Sequence, residues 1–328
     1  MSHDIKEALT EDHVNFAYRL LLGRLPDPDV DLARAVDYYE DVDGLRRKML
    51  RSEEFRDLSE RLSLESSCLR WVCCPIFKRS FIYVSGRDLG VSRSILFHGR
   101  WEDHVFDIMN RYLKPGTTFL DVGANIGYFS LAAAELLRES GGRVISIEAN
   151  PEVLPFLYAS IVQSQAADMI RVVPYAALDQ MDSVSFMQDD SGNLGGSRLG
   201  EAAEQSTLVM GGALDMLLKD HSQTISFIKM DIEGSETKAL AGMRNIILAH
   251  LPALLIEFNH SKLSCLHSSG DELLGRVLDM SYLPVEFSTD GAERVLSIDQ
   301  VKDELSQVEY KDILFLHESK VLESYGVG

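Results

Sequence analysis

The sequence predicts an α/β protein with a doubly wound, mostly parallel sheet that carries helices on both faces and is preceded by a small helical domain. From residue 117 onward, short apolar runs alternate with amphipathic segments, which is typical of repeated βαβ units. Over the first sixty or so residues, apolar side chains recur at helical spacing instead. With 328 residues, of which 45% are hydrophobic and 25% charged, the chain is long enough for two domains with buried cores.

The pattern divides the chain into three regions. We expect a helical accessory domain at residues 1–66, a connecting hairpin and helix at 67–116, and the α/β domain at 117–328. Helical periodicity in the first region is clearest in the segments HVNFAYRLLLGR, VDLARAVDYY and DGLRRKMLRSEEFRDL. The PDPD sequence that follows Leu25 predicts the end of the first helix.

The connecting region reads FIYVSGRDLGVSRSILFHG at residues 81–99. Its apolar and polar residues alternate, and Gly86 and Gly90 interrupt it, so we expect a β-hairpin or two short strands here. A helix at about 102–113 follows and ends at a KPG turn.

Seven strands are expected in the α/β domain, with a long connection between the last two. Their sequences are TTFLDVG, RVISIEA, IRVVPYAA, SFIKMDI, PALLIEF, YLPVEF and DILFLH. Between them, helical periodicity predicts helices at about 125–139, 151–164, 235–249 and 271–280.

The charge balance limits the classes of partner. The chain has 51 acidic and 32 basic residues, a net charge of −19, which repels phosphate backbones and anionic lipid surfaces. The opening MSHDIKEALTEDH lacks the basic and apolar regions of a signal peptide, and no apolar run approaches the length of a membrane span. We therefore expect a cytoplasmic protein with neither a nucleic-acid substrate nor a membrane span.

The segment FLDVGANIGYFS, residues 119–130, is the strongest local signal for a ligand site. An apolar strand runs directly into a glycine-containing turn and then a helix, whose free N–H groups can receive an anionic group. We expect Gly123 and Gly127 to leave space for a ligand near the backbone, and Asp121 to bind an ammonium group directly or through water. Asn125 stands where a diphosphate-binding turn has its middle glycine, which favours a ligand without a diphosphate.

Glu148, in VISIEANP, supports the same site. It ends the second predicted strand, where an acidic side chain can accept hydrogen bonds from ribose hydroxyls. The alternative is that Glu148 caps the helix predicted from Pro151. The spacing from the glycine turn and the strand-end position together favour the ribose role.

Three ordered segments, FLDVGANIGYFS, IEANP and FIKMDIEGSETKALAGM, resemble the FkbM family of methyltransferases, and the similarity runs from about residue 95 to 260. The resemblance implies a Rossmann-like class I methyltransferase fold with seven strands, and S-adenosylmethionine as the methyl donor. It also implies methylation of a hydroxyl, often on a sugar or a polyketide-type natural product.

Carried over onto this sequence, the resemblance assigns residues to the donor site and to the segment after the fourth strand. The donor-binding turn corresponds to Asp121, Gly123, Asn125 and Gly127, and the ribose-binding acid corresponds to Glu148. The segment after the fourth strand corresponds to Asp231, Glu233, Gly234 and Glu236. An adenine contact is expected near Ala176, Ala177 and Asp179.

Methylation of an alcohol requires a group that takes its proton. The fourth and fifth predicted strands end at the same crevice, where a carboxylate or histidine can act as base. Asp231 is the first candidate, as base or as the group that orients the acceptor, and it could also touch the donor. Glu257 and His260 are the next candidates, and Lys229 could orient a carboxylate. The alternative for Asp231 is a cap on the helix that follows.

Other features add candidates to the site. Glu102, in GRWE, could reach the donor, or could be an acidic residue at a helix start. Asp231 with Glu257 or Asn259 could hold Mg²⁺ through oxygen ligands, although neither the spacing nor the resemblance demands a metal.

The loop SGNLGGSRLG could close over the acceptor through Asn193, Ser197 and Arg198, or be a plain connector.

The N-terminal region carries a second, shorter resemblance. Tyr18, Leu21, Gly23, Arg24, the PDP turn and the SEEF segment are similar to the phycobilisome-linker-like helical domain of unknown function. That resemblance implies an accessory module that often accompanies polysaccharide-related enzymes. A helical cap on the α/β domain is the alternative.

The sequence thus predicts an S-adenosylmethionine-dependent O-methyltransferase acting on a small-molecule or glycan acceptor. N-methylation is a variant of the same reaction. Two other classes remain open: an NAD(P)-dependent Rossmann oxidoreductase, and a catalytically inert protein that binds the donor. The acceptor and the oligomeric state have no signature in the residue pattern.

Overall fold

The structure is a computed structural model that describes residues 71–86, 88–187, 196–200, 206–287 and 293–324. It also describes scattered positions between residues 10 and 54, among them helix α1 (Leu32–Tyr38). Most of the accessory region, including Leu21, Gly23 and Arg24, lies outside the described residues. Its helical character and its resemblance therefore stay predictions.

The strands and the remaining helices follow one another in the order expected for an α/β domain. The strands are β1 (Val72–Pro75), β2 (Phe81–Val84), β3 (Thr118–Val122), β4 (Arg143–Ile147), β5 (Ile170–Val173), β6 (Ala176–Ala177), β7 (Asp182–Met187), β8 (Arg198–Gly200), β9 (Thr207–Gly212), β10 (Ile225–Met230), β11 (Ala253–Asn259), β12 (Tyr282–Phe287), β13 (Glu293–Val295) and β14 (Tyr310–His317). The helices are α2 (Val91–His98), α3 (Asp103–Tyr112), α4 (Tyr128–Leu137), α5 (Leu154–Gln163), α6 (Leu214–Leu217), α7 (Glu236–Gly242), α8 (Arg244–His250), α9 (His260–Cys265), α10 (Gly270–Leu278), α11 (Ile298–Gln307) and α12 (Glu318–Ser324).

The central sheet confirms the predicted fold class. Its strand order is β13-β12-β14-β11-β10-β3-β4-β5, and β11, β10, β3, β4 and β5 are mutually parallel. The strand order reverses at β3, so the chain continues outward in both directions from that strand, as in other doubly wound sheets. Strands β14, β12 and β13 pair antiparallel at one end. The seven expected strands are all present, and β13 adds a short eighth strand at the edge.

Two apolar layers flank this sheet, because its parallel strands are buried on both faces. Along β3, Phe119 packs into the layer that contains α4, whereas Leu120 packs into the layer that contains α7. The rings of Phe119 and Phe227 stack with centroids 5.7 Å apart on the α4 side. Side chains two residues further along the same strands therefore point toward α4 as well.

The prediction of two strands at residues 81–99 is half wrong. Only β2 is a strand, and its partner is β1, upstream of the segment, whereas residues 91–98 form helix α2. The carboxylate of Asp88 accepts the backbone N–H groups of Gly90 and Ser92 at 3.0 and 2.8 Å, which supplies acceptors at the start of the helix. The apolar residues of this segment fit either period, and the Asp88 contacts favour the helix.

A second sheet, with strand order β6-β9-β7-β8, was not predicted from the sequence. The run IRVVPYAA, expected to be one strand, divides between the sheets: β5 joins the central sheet, and β6 pairs with β9. The predicted helix at 235–249 also divides, into α7 and α8. Phe186 and Leu199 form the buried face of the second sheet together with Ala176 and Leu178.

The β1–β2 hairpin is fastened to α5 by two buried serines. Ser164 Oγ accepts the Phe81 N–H at 2.9 Å and donates to the Phe81 carbonyl at 2.9 Å, and Ser160 Oγ accepts the Tyr83 N–H at 2.8 Å. Both serine side chains are almost fully buried. The helices in the part of the chain described here are all too short or too polar to cross a membrane.

Replacing Ser164 by alanine is expected to destabilise the protein by roughly 1–3 kcal/mol, because it removes two part-buried hydrogen bonds to the Phe81 backbone. Urea unfolding followed by circular dichroism measures the change. Ser306→Ala, which removes only an exposed bond to the Asp303 carbonyl, is the control. Equal unfolding free energies for the two variants would show that the hairpin is not held through Ser164.

Candidate active site

A cavity of about 420 Å³ opens at the carboxyl ends of the parallel strands. In open α/β sheets, ligands bind in the crevice at this edge, next to the strand at which the order reverses. Here the turns that follow β3, β4 and β10 contribute Asn125, Glu148 and Asp231 to the cavity lining, and the last part of β11 contributes Glu257. Strand β14 runs antiparallel, so its first residue, Tyr310, reaches the same edge.

The turn after β3 is held by hydrogen bonds and by close backbone packing. Asn125 adopts a left-handed conformation, with φ of 50°, and its side-chain oxygen accepts the Ile126 N–H at 2.8 Å. Gly123 has φ of 89°, and a Cβ there would lie 1.8 Å from the carbonyl oxygen of Asp231. Gly127 has φ of 95°, and a Cβ there would lie 2.5 Å from Leu157 Cδ1.

The structure adds a second reason for the two glycines. The positions that a Cβ would take are occupied by Asp231 backbone and by Leu157, while Gly123 lines the cavity and Gly127 does not. Glycine has no Cβ, so it allows a turn at a strand end to pack closely against a neighbouring strand end. It allows a turn to pack closely against a ligand for the same reason. The sequence pattern alone does not distinguish these two cases.

Glu148 joins the turns after β3 and β4. Its carboxylate accepts the Asn125 N–H at Oε2 and the Asn150 N–H at Oε1, each at 2.7 Å. Burial raises the pKa of Glu148 to about 7, although these backbone donors act in the opposite direction. Helix α5 begins only at Leu154, so Glu148 holds the turn and does not cap the helix. Each carboxylate oxygen retains lone pairs that can accept a further hydrogen bond from the cavity.

Apolar side chains of the second sheet cover the cavity beside Glu148. Ala176 and Ala177 line it, as predicted, whereas Asp179 is not part of the lining. Phe186 and Leu199, on β7 and β8, complete this wall, and the sequence reasoning missed both. Within the loop SGNLGGSRLG, Ser197 lines the cavity, Arg198 does not, and Asn193 lies outside the described residues.

At the other end of the cavity, Lys229 and Asp231 form a buried ion pair. Lys229 Nζ lies 2.9 Å from Asp231 Oδ2 and 4.9 Å from the centre of the Phe129 ring. The Lys229 side chain is 3% exposed and that of Asp231 is 33% exposed. Burial lowers the pKa of Lys229, but the surrounding carboxylates outweigh it and hold the pKa above its ordinary value, so the ammonium is charged at neutral pH.

Glu257 lies on β11, beside this pair, and its Oε2 is buried without a hydrogen-bond partner in the described part of the chain. Asp312 on β14 is its direct neighbour across the antiparallel strand pair. Burial, together with the charges of Asp231, Glu233 and Asp312, raises the pKa of Glu257 far above the ordinary value of a carboxyl group. The shift favours the protonated form of Glu257, which can donate a hydrogen bond.

Glu102 reaches the same end of the cavity from the residue that precedes α3. It has φ of 44°, and burial raises its pKa to about 7, opposed by the charge of Lys229. Two residues later, His104 Nε2 contacts Asp312 Oδ2 at 3.1 Å. This bond raises the pKa of His104 and ties α3 to β14.

The sequence reasoning missed Asp312 and Tyr310, although the polar start of EYKDILFLH was a usable signal.

Two predicted site residues point elsewhere. His260 Nε2 contacts the Leu305 carbonyl at 2.9 Å, and the residue is not part of the cavity lining. Asp121 is 1% exposed, accepts a hydrogen bond from Ser130 at 2.6 Å, and is likewise absent from the lining. The geometry thus gives His260 a structural contact and places Asp121 behind the cavity wall.

The turn after β10 is built on a buried carboxylate. Glu236 Oε1 accepts the N–H groups of Ile232 and Gly234 at 3.1 and 3.2 Å, and burial raises the pKa of Glu236 to about 7. Gly234 has φ of 108° and packs against the Lys262 carbonyl, where a Cβ would lie 2.3 Å away. Lys262 Nζ in turn lies 3.3 Å from Glu233 Oε2.

The alternative of a Mg²⁺ site at Asp231, Glu257 and Asn259 finds little support in the contacts. Asn259 Oδ1 accepts the Lys262 N–H at 3.2 Å and the Ser261 hydroxyl at 3.0 Å, while Lys229 bonds Asp231. Among the residues that the structure describes, no group of three or more His, Cys, Asp or Glu side chains is arranged to hold a metal ion.

The sheet is mostly parallel, its antiparallel strand β14 lies between β11 and β12, and acidic residues stand at its strand ends, an arrangement that fits the Rossmann-like methyltransferase fold. The family described as the methyltransferase FkbM domain matches residues 121–284, which is half of the chain. The protein belongs to this family. The matched segment contains the turn after β3, Glu148, Asp231 and Glu257.

Single proteins similar to this chain match it over a short segment or at low sequence identity. The Protein-L-isoaspartate O-methyltransferase of Hyperthermus butylicus is 35% identical over 78 residues, which is 21% of this chain and 32% of that protein. The crystal structure of Methyltransferase FkbM from Methylobacillus flagellatus aligns with 92% of this chain and 58% of its own, at 18% identity and a TM-score of 0.41. The O-methyltransferase from Bacillus cereus in complex with SAH aligns with 65% of this chain and 77% of its own, at 13% identity and a TM-score of 0.35. The chain thus spans about a third of the curated relative.

Replacing Glu236 by glutamine is expected to flatten the pH dependence of stability between about pH 5 and 7.5. A carboxyl whose pKa is raised on folding stabilises the protein below its unfolded value, near 4.5, and that contribution is lost as the pH rises through about 7. The wild type should therefore lose roughly 1–3 kcal/mol more than Glu236→Gln over this range.

Urea unfolding at a series of pH values measures this difference. Glutamine keeps the carbonyl oxygen that accepts the Ile232 and Gly234 N–H groups, so the turn is retained. Glu286→Gln, at an exposed strand position, is the control. Parallel pH curves for the wild type and Glu236→Gln would show that Glu236 is not buried as described.

Proposed function

We propose that this protein transfers a methyl group from S-adenosylmethionine to a hydroxyl of a sugar, glycan or natural-product acceptor. The observation that carries the proposal is the position of Glu148, an acid at the end of β4 that lines the cavity beside the turn after β3. Membership of the FkbM family supports methyl transfer, and the ion pair of Lys229 with Asp231 supplies a candidate base in the same cavity.

The residues present suit a nucleoside at the Glu148 end of the cavity. Glu148 has one backbone donor on each oxygen and can accept ribose hydroxyls with the lone pairs that remain. Ala176 and Ala177 leave a flat apolar surface on which an adenine ring can lie, and Phe186 and Leu199 exclude water from it. Asn125 shapes the turn through its backbone and side chain, and no second glycine is required there.

S-adenosylmethionine, when bound, supplies a methyl group on a sulfonium sulfur, which is already a good electrophile. The protein then has to orient the acceptor and remove its proton. Lys229 bonds Asp231 Oδ2, so Oδ1 is the oxygen that can accept the hydroxyl proton as the new C–O bond forms. The bond from Lys229 also fixes the orientation of the Asp231 carboxylate.

Glu257 has a different part in this proposal. Because its raised pKa favours the protonated form, we assign Glu257 as a hydrogen-bond donor to an acceptor oxygen and not as the base. Glu102 adds a third carboxyl group at this end of the cavity. Several carboxyl groups that donate and accept hydrogen bonds are well suited to a polyhydroxylated acceptor, whereas a phosphate backbone would be repelled.

Replacing Glu148 by alanine is expected to weaken binding of S-adenosylmethionine and S-adenosylhomocysteine at least tenfold. The variant loses the ribose acceptor and also the bonds that hold the Asn125 and Asn150 N–H groups. Isothermal titration calorimetry measures both affinities, and Glu152→Ala, an exposed neighbour, is the control. Unchanged affinity in Glu148→Ala would remove the donor-site assignment.

Ligand binding, thermal unfolding and transfer of a labelled methyl group together separate the rival classes. An NAD(P)-dependent oxidoreductase would bind NADH and be protected by it against thermal unfolding, with no protection from adenosylhomocysteine. An inert protein would bind the donor but transfer no label.

Replacing Asp231 by asparagine is expected to lower methyl transfer by roughly 10²–10⁴-fold, because asparagine cannot accept the hydroxyl proton. The assay incubates the protein with isotopically labelled S-adenosylmethionine and an extract of its source cells, and mass spectrometry identifies the labelled product. Asp168→Asn, at an exposed position, is the control.

Glu257 variants test the division of roles in the same assay. Glu257→Gln keeps a hydrogen-bond donor of the same shape and should retain most of the transfer rate, whereas Glu257→Ala should lose at least tenfold. If Glu257→Gln abolished transfer while Asp231→Asn did not, Glu257 would be the base and the assignment of Asp231 would be wrong.

A further inference from the structure

A row of polar side chains crosses the otherwise apolar face of the central sheet beneath α4. Lys229 on β10 is the register partner of Asp121 on β3, and Asp121 is the register partner of Ser146 on β4. The exposed fractions of Lys229, Asp121 and Ser146 are 3%, 1% and 0%. These side chains follow Phe227, Phe119 and Val144 by two residues and therefore point toward α4.

A single ammonium in such a place is costly unless negative charge lies beside it. Asp231 provides one carboxylate at 2.9 Å, but a third of its side chain is exposed, so part of its charge is solvated. Asp121 is the fully buried carboxylate beside Lys229 on the adjacent strand. Its charge therefore acts on Lys229 through a region of low polarizability, where electrostatic interactions are strong.

The hydrogen bonds of Asp121 lead away from the cavity. Ser130 on α4 donates its one hydroxyl proton to Asp121 Oδ2 at 2.6 Å, so Ser146, at 2.7 Å, must donate to Ser130. Asp121 Oδ1 is buried and has no hydrogen-bond partner in the described structure. The chain of donors from Ser146 through Ser130 ends on Asp121 and stabilises its ionised form.

We propose that Asp121 is a positioning residue: its buried carboxylate keeps the Lys229 ammonium charged and fixed against Asp231 Oδ2, and it does not bind the ammonium group of the ligand. The inference rests on the proposed function only where it assigns Asp231 as the base. The coupling of Asp121 to Lys229 is a property of the folded chain and is measurable without any ligand.

The pKa directions agree with this geometry. Burial lowers the pKa of Lys229, while Asp231 and then Asp121 raise it more than the other neighbours do. Burial raises the pKa of Asp121 to about 6, and Lys229 opposes that rise. The remaining titratable groups around Lys229 lie on other elements and are Glu102 before α3, Glu257 on β11 and Asp312 on β14.

The test is an NMR titration of the lysine side chains in the wild type and in Asp121→Asn, with the Lys229 signal assigned from Lys229→Gln. In the wild type, Lys229 should remain charged beyond the ordinary lysine range, whereas Asp121→Asn should lower its pKa by at least one unit. Asparagine has the same shape and still accepts the Ser130 hydroxyl. Ser130→Ala, which removes the hydrogen bond but leaves the charge, is the matched control and should shift Lys229 much less.

The reverse measurement covers the case in which Asp121→Asn does not fold. Lys229→Gln removes the cation and should raise the pKa of Asp121 by at least one unit, read from its carboxyl carbon signal. Either an unchanged Lys229 titration in a folded Asp121→Asn variant or an unchanged Asp121 titration in Lys229→Gln would overturn the proposal.

Calorimetry with S-adenosylhomocysteine separates this proposal from the proposed function. Asp121→Asn should change the affinity by less than threefold, because Asp121 does not contact the ligand, and a loss of tenfold or more would overturn the positioning role. Should the wild type fail to bind S-adenosylhomocysteine, the proposed function would fall, while the coupling of Asp121 with Lys229 would still be decided by the titrations.

Discussion

The carboxylate of Glu148 is the contact on which the geometry of the candidate site depends. It accepts one N–H from the turn after β3 and one from the turn after β4, so two strand ends that are distant in sequence are held against each other. A buried carboxylate without such donors would be costly, and backbone N–H groups without an acceptor would be costly too. The buried carboxylate therefore requires the backbone N–H groups of the two turns, and these N–H groups require the carboxylate. The cavity lies where the two turns meet.

The second organising feature is the concentration of carboxyl groups around one buried ammonium. The parallel strands end at one edge, and the insertion of β14 beside β11 adds Asp312 to that edge from the opposite chain direction. The carboxyl groups around Lys229 hold its pKa above the ordinary value, whereas burial and the neighbouring acids raise the pKa of Glu257 and favour its protonated form. One environment thus produces a carboxylate that can accept a proton and a carboxylic acid that can donate a hydrogen bond.

Local sequence patterns predicted which segments are strands or helices better than they predicted which of these elements contact one another. Seven of the eight strands of the central sheet, the turn FLDVGANIGYFS and the strand-end position of Glu148 were all readable, because alternation, glycine and chain order are local properties. The helix at 91–98 was missed, because its apolar spacing also suits a strand. The small sheet was missed too, since β6 and β8 have only two and three residues and give no readable alternation. His260 was a reasonable candidate by position, yet its ring turns to a carbonyl on α11.

The sequence by itself determined the succession of strands and helices along the chain, the family, and which residues stand at the strand ends. Only the tertiary structure decided that the space beside Gly123 and Gly127 is filled by Asp231 backbone and Leu157, and that Asp121 faces Ser130 under α4. The physical reason is that both outcomes depend on contacts between strands that are adjacent in the sheet but far apart in the chain. Such contacts follow from the order of the strands within the sheet and from their register, and no local pattern of residues encodes either of them.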